Sequence, residues 1–244
     1  MVLSPRGGEE IGPGDAVFVP TFTFAATAEV VAWVGATPVF VDVLPDTFNM
    51  DPESLKMAIV SAEAAGLRPR VLIPVDLFGQ PADYDSLLGM AASHNLYVLS
   101  DAAQSFGAMY KGKHAGTFGH ATTTSFFPAK PLGGYGDGGA VFTDDDRLLD
   151  ILKSLRVHGQ GVDKYENIRI GMNGRLDTLQ AAILLEKLVI FPSELAARDR
   201  VASLYNAALK DHVTTPHLLK DTTSAWAQYT IQLPTGADRS RVME

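Results

Sequence analysis

From residue 16 to residue 101, short apolar runs alternate with stretches of helical spacing, and no other feature of the chain limits its fold as much. Residues 16–19 read as a buried strand stopped by Pro20. A helix over 24–34, capped by Thr21 or Thr23, ends at Gly35. A strand over 38–43 follows. Asp51-Pro52-Glu53 then has the chemistry of a helix start: Asp as N-cap, Pro at the first helical position, an acid in the first turn. That helix runs to residue 65 and stops at Gly66. Strands over 70–75 and 96–100 flank a helix over 84–94 that Asn95 closes. Alternation at this spacing predicts βαβ units, hence an α/β fold with a mostly parallel sheet and helices on both faces. Ligands of such sheets sit beyond the C-terminal strand ends, and Asp101 and Ser125 fall at such ends.

The pattern continues with strands over 121–126 and 139–143 and a helix over 147–155 opened by Asp144-Asp145-Asp146. Residues 1–15 are rich in Gly, Pro and Glu and read as loop. The polar, glycine-containing stretch 156–173 is a loop long enough to suggest a functional one. A helix over 176–189 is expected to break at Phe191-Pro192-Ser193 and give way to a second helix reaching residue 209. Residues 227–233 alternate like a strand. This divides the chain into a large domain over 1–190 and the start of a small domain over 191–244.

At 244 residues and 46% hydrophobic, the chain can fill a core. A net charge of −8 argues against non-specific nucleic-acid binding, which needs clustered Lys and Arg. With no cysteine, disulfides, thiol nucleophiles and Cys-ligated zinc are excluded. No apolar run has the length of a membrane span, and the first ten residues lack the apolar core of a signal peptide, so a cytoplasmic protein is expected. Gly134-x-Gly136-x-x-Gly139 matches a dinucleotide pattern by letter, but a proline loop precedes it and a strand follows, the wrong context for one. The histidines are scattered without carboxylates at ligand spacing, and no metal site is read.

The chemistry centres on Ser125-Phe126-Phe127-Pro128-Ala129-Lys130-Pro131-Leu132-Gly133-Gly134. An apolar, β-prone run ends at Pro128, and one lysine is wedged between two prolines ahead of a glycine-rich stretch. A lysine on such stiff, close-approaching backbone can lose its proton by desolvation and act as an amine nucleophile toward a carbonyl. The hypothesis is a Schiff base between Lys130 and pyridoxal 5'-phosphate; the alternative is a solvated lysine in a turn. Asp101-Ala102-Ala103-Gln104 follows an earlier strand. An aspartate leaving a buried strand is costly unless paired, and a protonated pyridine nitrogen is such a partner. The alternative for Asp101 is a helix N-cap, and both roles can coexist only on different carboxylate oxygens.

With these residues in view, the chain resembles the DegT/DnrJ/EryC1/StrS family of sugar aminotransferases, a branch of fold-type I pyridoxal phosphate enzymes. The matching stretches run in family order from residue 12 to about residue 210. They include Gly12-Pro13-Gly14-Asp15, Pro20-Thr21-Phe22-Thr23-Phe24, Leu77-Phe78-Gly79-Gln80-Pro81-Ala82-Asp83, Asp101-Ala102-Ala103-Gln104, the lysine loop, and Gly171-Met172-Asn173-Gly174-Arg175-Leu176-Asp177. The resemblance implies that Lys130 and Asp101 are catalytic and also bind the cofactor. Lys130 would carry the cofactor and move the proton, and Asp101 would pair with the ring nitrogen. It further implies that Gln104 lies at the ring's phenolic edge and Ser125 at the phosphate. Phe24 would stack on the ring, with core packing as its alternative. Asn173 would reach the phosphate of a neighbouring subunit, making a homodimer with shared sites. Arg175 and Asp177 would order that loop, and Arg156 and His158 would lie near substrate or interface.

The implied reaction moves an amino group from an amino-acid donor, glutamate by analogy, to a nucleotide-linked keto sugar. The lysine loop most resembles enzymes acting on UDP-linked 3-keto-glucuronic acid derivatives, in amino-sugar or cell-surface polysaccharide biosynthesis. Nucleic acid and membrane are not expected partners. Relatives have an N-terminal helix and a Gly-Thr phosphate loop ahead of the segment that begins this chain, and a longer C-terminal domain, so a chain truncated at both ends is expected. Asn167, in Lys164-Tyr165-Glu166-Asn167, stands where many relatives carry histidine. Two alternatives are a non-catalytic remnant acting as a dimer partner and a pyridoxal phosphate-dependent sugar dehydratase; the latter would carry histidine in place of Lys130.

Overall fold

The computed structural model describes residues 10–163 and 165–243. Residues 1–9 of the expected N-terminal loop, and Lys164, lie outside the described residues. In chain order the elements are β1 (Asp15–Pro20), α1 (Ala26–Trp33), β2 (Thr37–Val41), α2 (Pro52–Ala64), β3 (Arg68–Leu72), a 3-10 turn (Leu77–Gly79), α3 (Tyr84–Ser93) and β4 (Tyr97–Asp101). There follow β5 (Met109–Tyr110), β6 (Lys113–His114), β7 (Ala121–Ser125), β8 (Gly139–Phe142), α4 (Asp146–Arg156), α5 (Thr178–Leu209) and α6 (Arg239–Met243). Six strands form one sheet in the order β2-β1-β3-β4-β7-β8. Every neighbouring pair is parallel except β7 with β8.

Alternation along the central strands explains why both faces are covered. Ala16 and Phe18 of β1 join Leu72 and Val98 on one face, against Leu55 and Ile59 of α2 and Tyr84 and Leu87 of α3. Val17 and Val19 turn to the other face, with Val71 and Ile73, against Val31 of α1. A strand buried on both sides is apolar along its interior, and β1 is buried along its whole length; its one charged residue, Asp15 at the start, pairs with Arg68 at 2.9 Å. The α2 start behaves as its chemistry dictates: the Asp51 carboxylate accepts the Glu53 N–H at 2.9 Å with Pro52 in the first turn. Asp145, the middle acid of the triple, caps α4 by accepting from Arg147 and Leu148.

Several expectations are corrected. The α1 N-cap is Ala25, without a side-chain bond, and Thr23 Oγ1 instead lies 3.2 Å from Thr27 Oγ1. The break expected at Pro192 does not occur: α5 runs unbroken from Thr178 to Leu209. A proline inside a helix costs about 3 kcal/mol. Leu184 and Phe191 are buried in a cluster with Leu132, packed by Phe106, Leu176 and Leu195, and each burial is worth roughly 1.5–3 kcal/mol. Packing on both sides of the proline therefore prevails, and the Ser193 hydroxyl donates to the Ile190 carbonyl at 2.6 Å. Residues 227–233 form no strand, only a bridge between Thr214 and Gln232. This part of the chain docks on the 3-10 turn instead, with the Ala225 and Gln228 N–H groups donating to the Gly79 and Phe78 carbonyls. The β5–β6 hairpin and α6 were not anticipated. Among the described residues no helix is long and apolar enough to cross a membrane.

Candidate functional site

Strands β4 and β7 are parallel neighbours, with Asp101 level with Thr123, so Asp101 and Ser125 leave the same end of the sheet side by side. Backbone bonds hold Asp101 from both flanks: its N–H donates to the Pro74 carbonyl at 2.9 Å, and the next N–H, of Ala102, donates to Thr123 at 2.8 Å. Its Oδ1 accepts the Ala103 N–H at 2.9 Å. Residues 103–107 are turns rather than helix, so this bond closes a side-chain turn and is not a helix cap. It engages Oδ1 alone, which lets a second role fall to the other oxygen.

Past β7 the chain turns through Pro128 and Ala129, and the Lys130 N–H donates to the Phe127 carbonyl at 2.9 Å. Lys130 is half-buried. The glycines that follow let the loop fold back on this turn. A Cβ at Gly133 would stand 2.3 Å from the Pro128 oxygen, so no other residue fits. Helix α5 clamps the loop: Gln180 Oε1 accepts the Tyr135 N–H at 2.7 Å, and Lys187 Nζ donates to the Gly133 carbonyl. The continuity of α5 thus bears directly on where the lysine loop sits.

Burial pushes the Asp101 carboxyl above its ordinary range, against the opposing pull of the Ala103 N–H and of the Lys130 charge. The loop bearing Lys130 leaves β7 beside the end of β4, so amine and carboxyl belong to the same sheet end. A half-buried carboxylate that is reluctant to ionise fits a cationic ring nitrogen, and a half-buried amine on stiff backbone fits an aldehyde; the donor set suits pyridoxal phosphate.

The other expected residues divide in two. Gln104 is half-buried and its Oε1 accepts the Phe78 N–H at 2.8 Å, leaving its amide NH2 to donate. Ser125 Oγ accepts from the Phe127 N–H at 3.2 Å. Phe24 follows the C-terminal end of β1 and is 73% exposed, which removes the core-packing alternative. Asn173 stands on the exposed loop after α4, where its contacts are a bridge to Val157 and a bond accepted from Arg175 Nε at 2.9 Å. It is not brought to the Asp101–Lys130 end by this chain's own contacts. Phe22, Phe48 and Phe78, on the loops after β1, β2 and β3, form an aromatic cluster with ring centroids 5.5–6.1 Å apart. Phe48 and Phe78 hold left-handed backbone at φ 60° and 59°, a strained conformation for such side chains.

Sequence reasoning missed the polar groups beneath this surface. Asn49 is buried and spans the 76–81 loop: its Oδ1 accepts from Leu77, and its Nδ2 donates to Gln80 and Pro81 carbonyls. Asp76 is fully buried. Its Oδ1 accepts from the Ala82 N–H at 3.0 Å and the Tyr84 hydroxyl at 2.8 Å, and its Oδ2 from the Ser105 hydroxyl at 2.6 Å. Burial outweighs these bonds and, with some repulsion from Asp101, pushes its pKa up to about 7. A signal existed, because Asp76 follows an apolar run just as Asp101 does. A cleft of about 380 Å³, bordered by Thr117, His120, Phe142 and Thr143, opens at the opposite end of β7 and holds none of the expected residues.

A model of the DegT/DnrJ/EryC1/StrS aminotransferase family matches residues 6–244. The UDP-2-acetamido-2-deoxy-3-oxo-D-glucuronate aminotransferase of Pseudomonas aeruginosa is 49% identical over 224 residues, covering 91% of this chain and 60% of that protein. The crystal structure of a DegT DnrJ EryC1 StrS aminotransferase from Brucella abortus superposes with a TM-score of 0.90 at 56% identity, over 92% of this chain and 61% of that one. S. venezuelae DesV, solved in complex with a ketimine intermediate, gives a TM-score of 0.87 at 38% identity, over 95% and 60% of the two chains. The chain spans about 60% of the length of the curated relatives it matches.

Proposed function

Because this chain belongs to the DegT/DnrJ/EryC1/StrS aminotransferase family, we propose that it carries the cofactor half of a pyridoxal phosphate-dependent nucleotide-sugar aminotransferase. The observation that carries the reading is that Asp101, at the end of β4, and the Lys130 loop, which leaves the end of the adjacent parallel strand β7, stand at the same end of the sheet, with the Lys130 charge acting on the Asp101 carboxyl. When bound, the cofactor supplies a reactive aldehyde and an electron-withdrawing ring. In this reading Lys130 binds the aldehyde and moves a proton at the amino-bearing carbon. Asp101 holds the proton on the ring nitrogen. Gln104 donates to the phenolic edge, Ser125 donates to the phosphate, and Phe24 covers a ring face. Asn173 serves the phosphate of a partner subunit, so the dimer completes the site.

The acceptor we propose is a UDP-linked 3-keto sugar acid, supported by the Pseudomonas relative's name and by 91% coverage of this chain in that match. The amino donor is glutamate, the large domain is residues 1–190 with 191–244 in a second domain, and the protein works in the cytoplasm. Lys130 weighs against the dehydratase alternative. The test is borohydride trapping: incubation with pyridoxal phosphate, reduction and peptide mass spectrometry. A cofactor adduct on the Lys130 peptide, absent in Lys130→Ala, is expected. An adduct spread over surface lysines, unchanged in that variant, overturns the reading.

A further inference from the structure

The loop after β3 and the turn after β4 are fastened together by four hydrogen bonds, and Asp76 makes two of them. Its N–H donates to the Asp101 carbonyl at 3.0 Å. Its carboxyl takes the Ser105 hydroxyl, one residue past Gln104, and anchors its own loop through Ala82 and α3 through Tyr84. The other ties are the Asp101 N–H to the Pro74 carbonyl at 2.9 Å and the Phe78 N–H to Gln104. Replacing the Asp76 side chain therefore unties Ser105, beside Gln104, from the loop after β3, while backbone bonds still hold Asp101 itself.

The charges around it matter as much as the bonds. The groups facing the Asp76 carboxyl are Tyr84 from α3, Ser105 from the turn, the Ala82 N–H from its own loop, and the Asp101 carboxylate on β4. None of them is a cation; Lys130 acts on Asp101. A fully buried carboxyl beside a half-buried one does not ionise readily, and the one without the amine holds its proton more tightly, in line with the upward push on Asp76.

We propose that Asp76 is a positioning residue: its carboxyl ties Ser105 and the end of the Asp101–Ser105 turn to the 76–82 loop and to α3, and so keeps water from Asp101. Its bearing on cofactor binding rests on the reading given above; its hold on Asp101 does not.

The test compares Asp76→Asn, Asp76→Ala and Ser105→Ala in the 244-residue chain. Carbon-13 NMR follows the Asp101 carboxyl through a pH titration without cofactor, and absorbance titration measures pyridoxal phosphate affinity. Asp76→Asn keeps a neutral acceptor for Ala82 and Tyr84, so the Asp101 midpoint stays in place and affinity stays within about twofold. Asp76→Ala lets water reach Asp101. Its midpoint falls toward the ordinary carboxylate range, and affinity weakens about tenfold, the scale of one lost buried hydrogen bond to a charged group. Ser105→Ala, which deletes only the Oδ2 bond, moves both the same way by less and serves if Asp76→Ala does not fold. A folded Asp76→Ala with an unmoved Asp101 midpoint and full affinity overturns the proposal. So does an unmoved midpoint in Ser105→Ala where Asp76→Ala is unfolded. If the midpoint shifts as stated but the unaltered chain takes up no cofactor, the aminotransferase reading fails and the positioning role stands.

Discussion

Two loops of this chain solve the same problem in opposite ways. The 76–82 loop after β3 is almost entirely buried, with only Phe78 partly exposed. Its backbone groups are met by side chains from elsewhere: Asn49 takes and gives at Leu77, Gln80 and Pro81, Asp76 takes the Ala82 N–H, and Gln104 takes that of Phe78. The loop after α4 satisfies itself. His158 donates to Met172, Gly161 to Glu166 and Ile168 to Gly159, while Val162, Tyr165 and Ile170 stand exposed. The first loop is rigid by burial, as a cofactor wall must be if its donors are to cost nothing to orient on binding. The second presents apolar side chains outward, which suits contact with another surface. The shared-site dimer proposed above would bury them.

Stability against pH is the largest lever on this contrast, and it acts only on the buried loop. The folded pKa of Asp76 is raised from 3.8 to about 7. A group raised on folding contributes stability that is fully present below its unfolded pKa and is lost as pH rises through the folded one. The chain is therefore expected to lose stability between about pH 4 and about pH 7, by on the order of 4 kcal/mol as an upper bound. Asp76→Asn makes the slope in that window shallower, leaving the part of the same sign that comes from the raised Asp101 carboxyl. Urea unfolding at a series of pH values checks it; parallel slopes in the two proteins would mean that Asp76 is not the group responsible.

The same contrast explains what could be read in the sequence. The α2 start was legible because Asp51, Pro52 and Glu53 act on their own backbone within one turn. Asp101 and Lys130 were legible because each is a charged residue at the abrupt end of an apolar run, and parallel pairing of the two strands brings such ends together. Asn49 was not legible: its partners lie 28 to 32 positions away, and no local spacing encodes that. Asp76 obeyed the rule applied to Asp101, but Gly79 and Pro81 after it mark only a loop, and no local pattern encodes that such a loop is buried. Pro192 misled for a related reason. A proline's local cost is visible in the sequence, while the packing of Phe191 against Phe106 that outweighs it depends on segments far apart in the chain.

A middle-sized effect is expected in the exposed loop. Gly159 sits at φ +76°, and a Cβ there would stand 1.8 Å from the Arg169 oxygen. Gly159→Ala must open the bonds that Ile168 and Arg169 donate to the Gly159 carbonyl, at a cost of about 1–3 kcal/mol. Because the loop shares few contacts with the sheet, the loss should be local. Amide exchange at Ile168 and Arg169 should speed up by at least an order of magnitude, with Val71 and Val98 unchanged. Faster exchange in the central strands would show that the two loops are coupled after all.

The smallest effect sharpens the comparison most, because it separates order within the chain from order imposed by a partner. Arg175 Nε donates to Asn173 Oδ1 at 2.9 Å, and both residues are exposed. An exposed side-chain bond of this kind contributes under about 0.5 kcal/mol, so Arg175→Ala should leave the melting temperature of the chain within error. If Asn173 serves a neighbouring subunit, as the dimer reading requires, freeing its side chain acts on assembly instead. Sedimentation at matched concentrations with pyridoxal phosphate present should then show a weaker dimer for Arg175→Ala. A change in melting temperature without a change in assembly would place the bond inside the fold of one chain, and the exposed loop would lose its standing as the part of the molecule left for a partner to order.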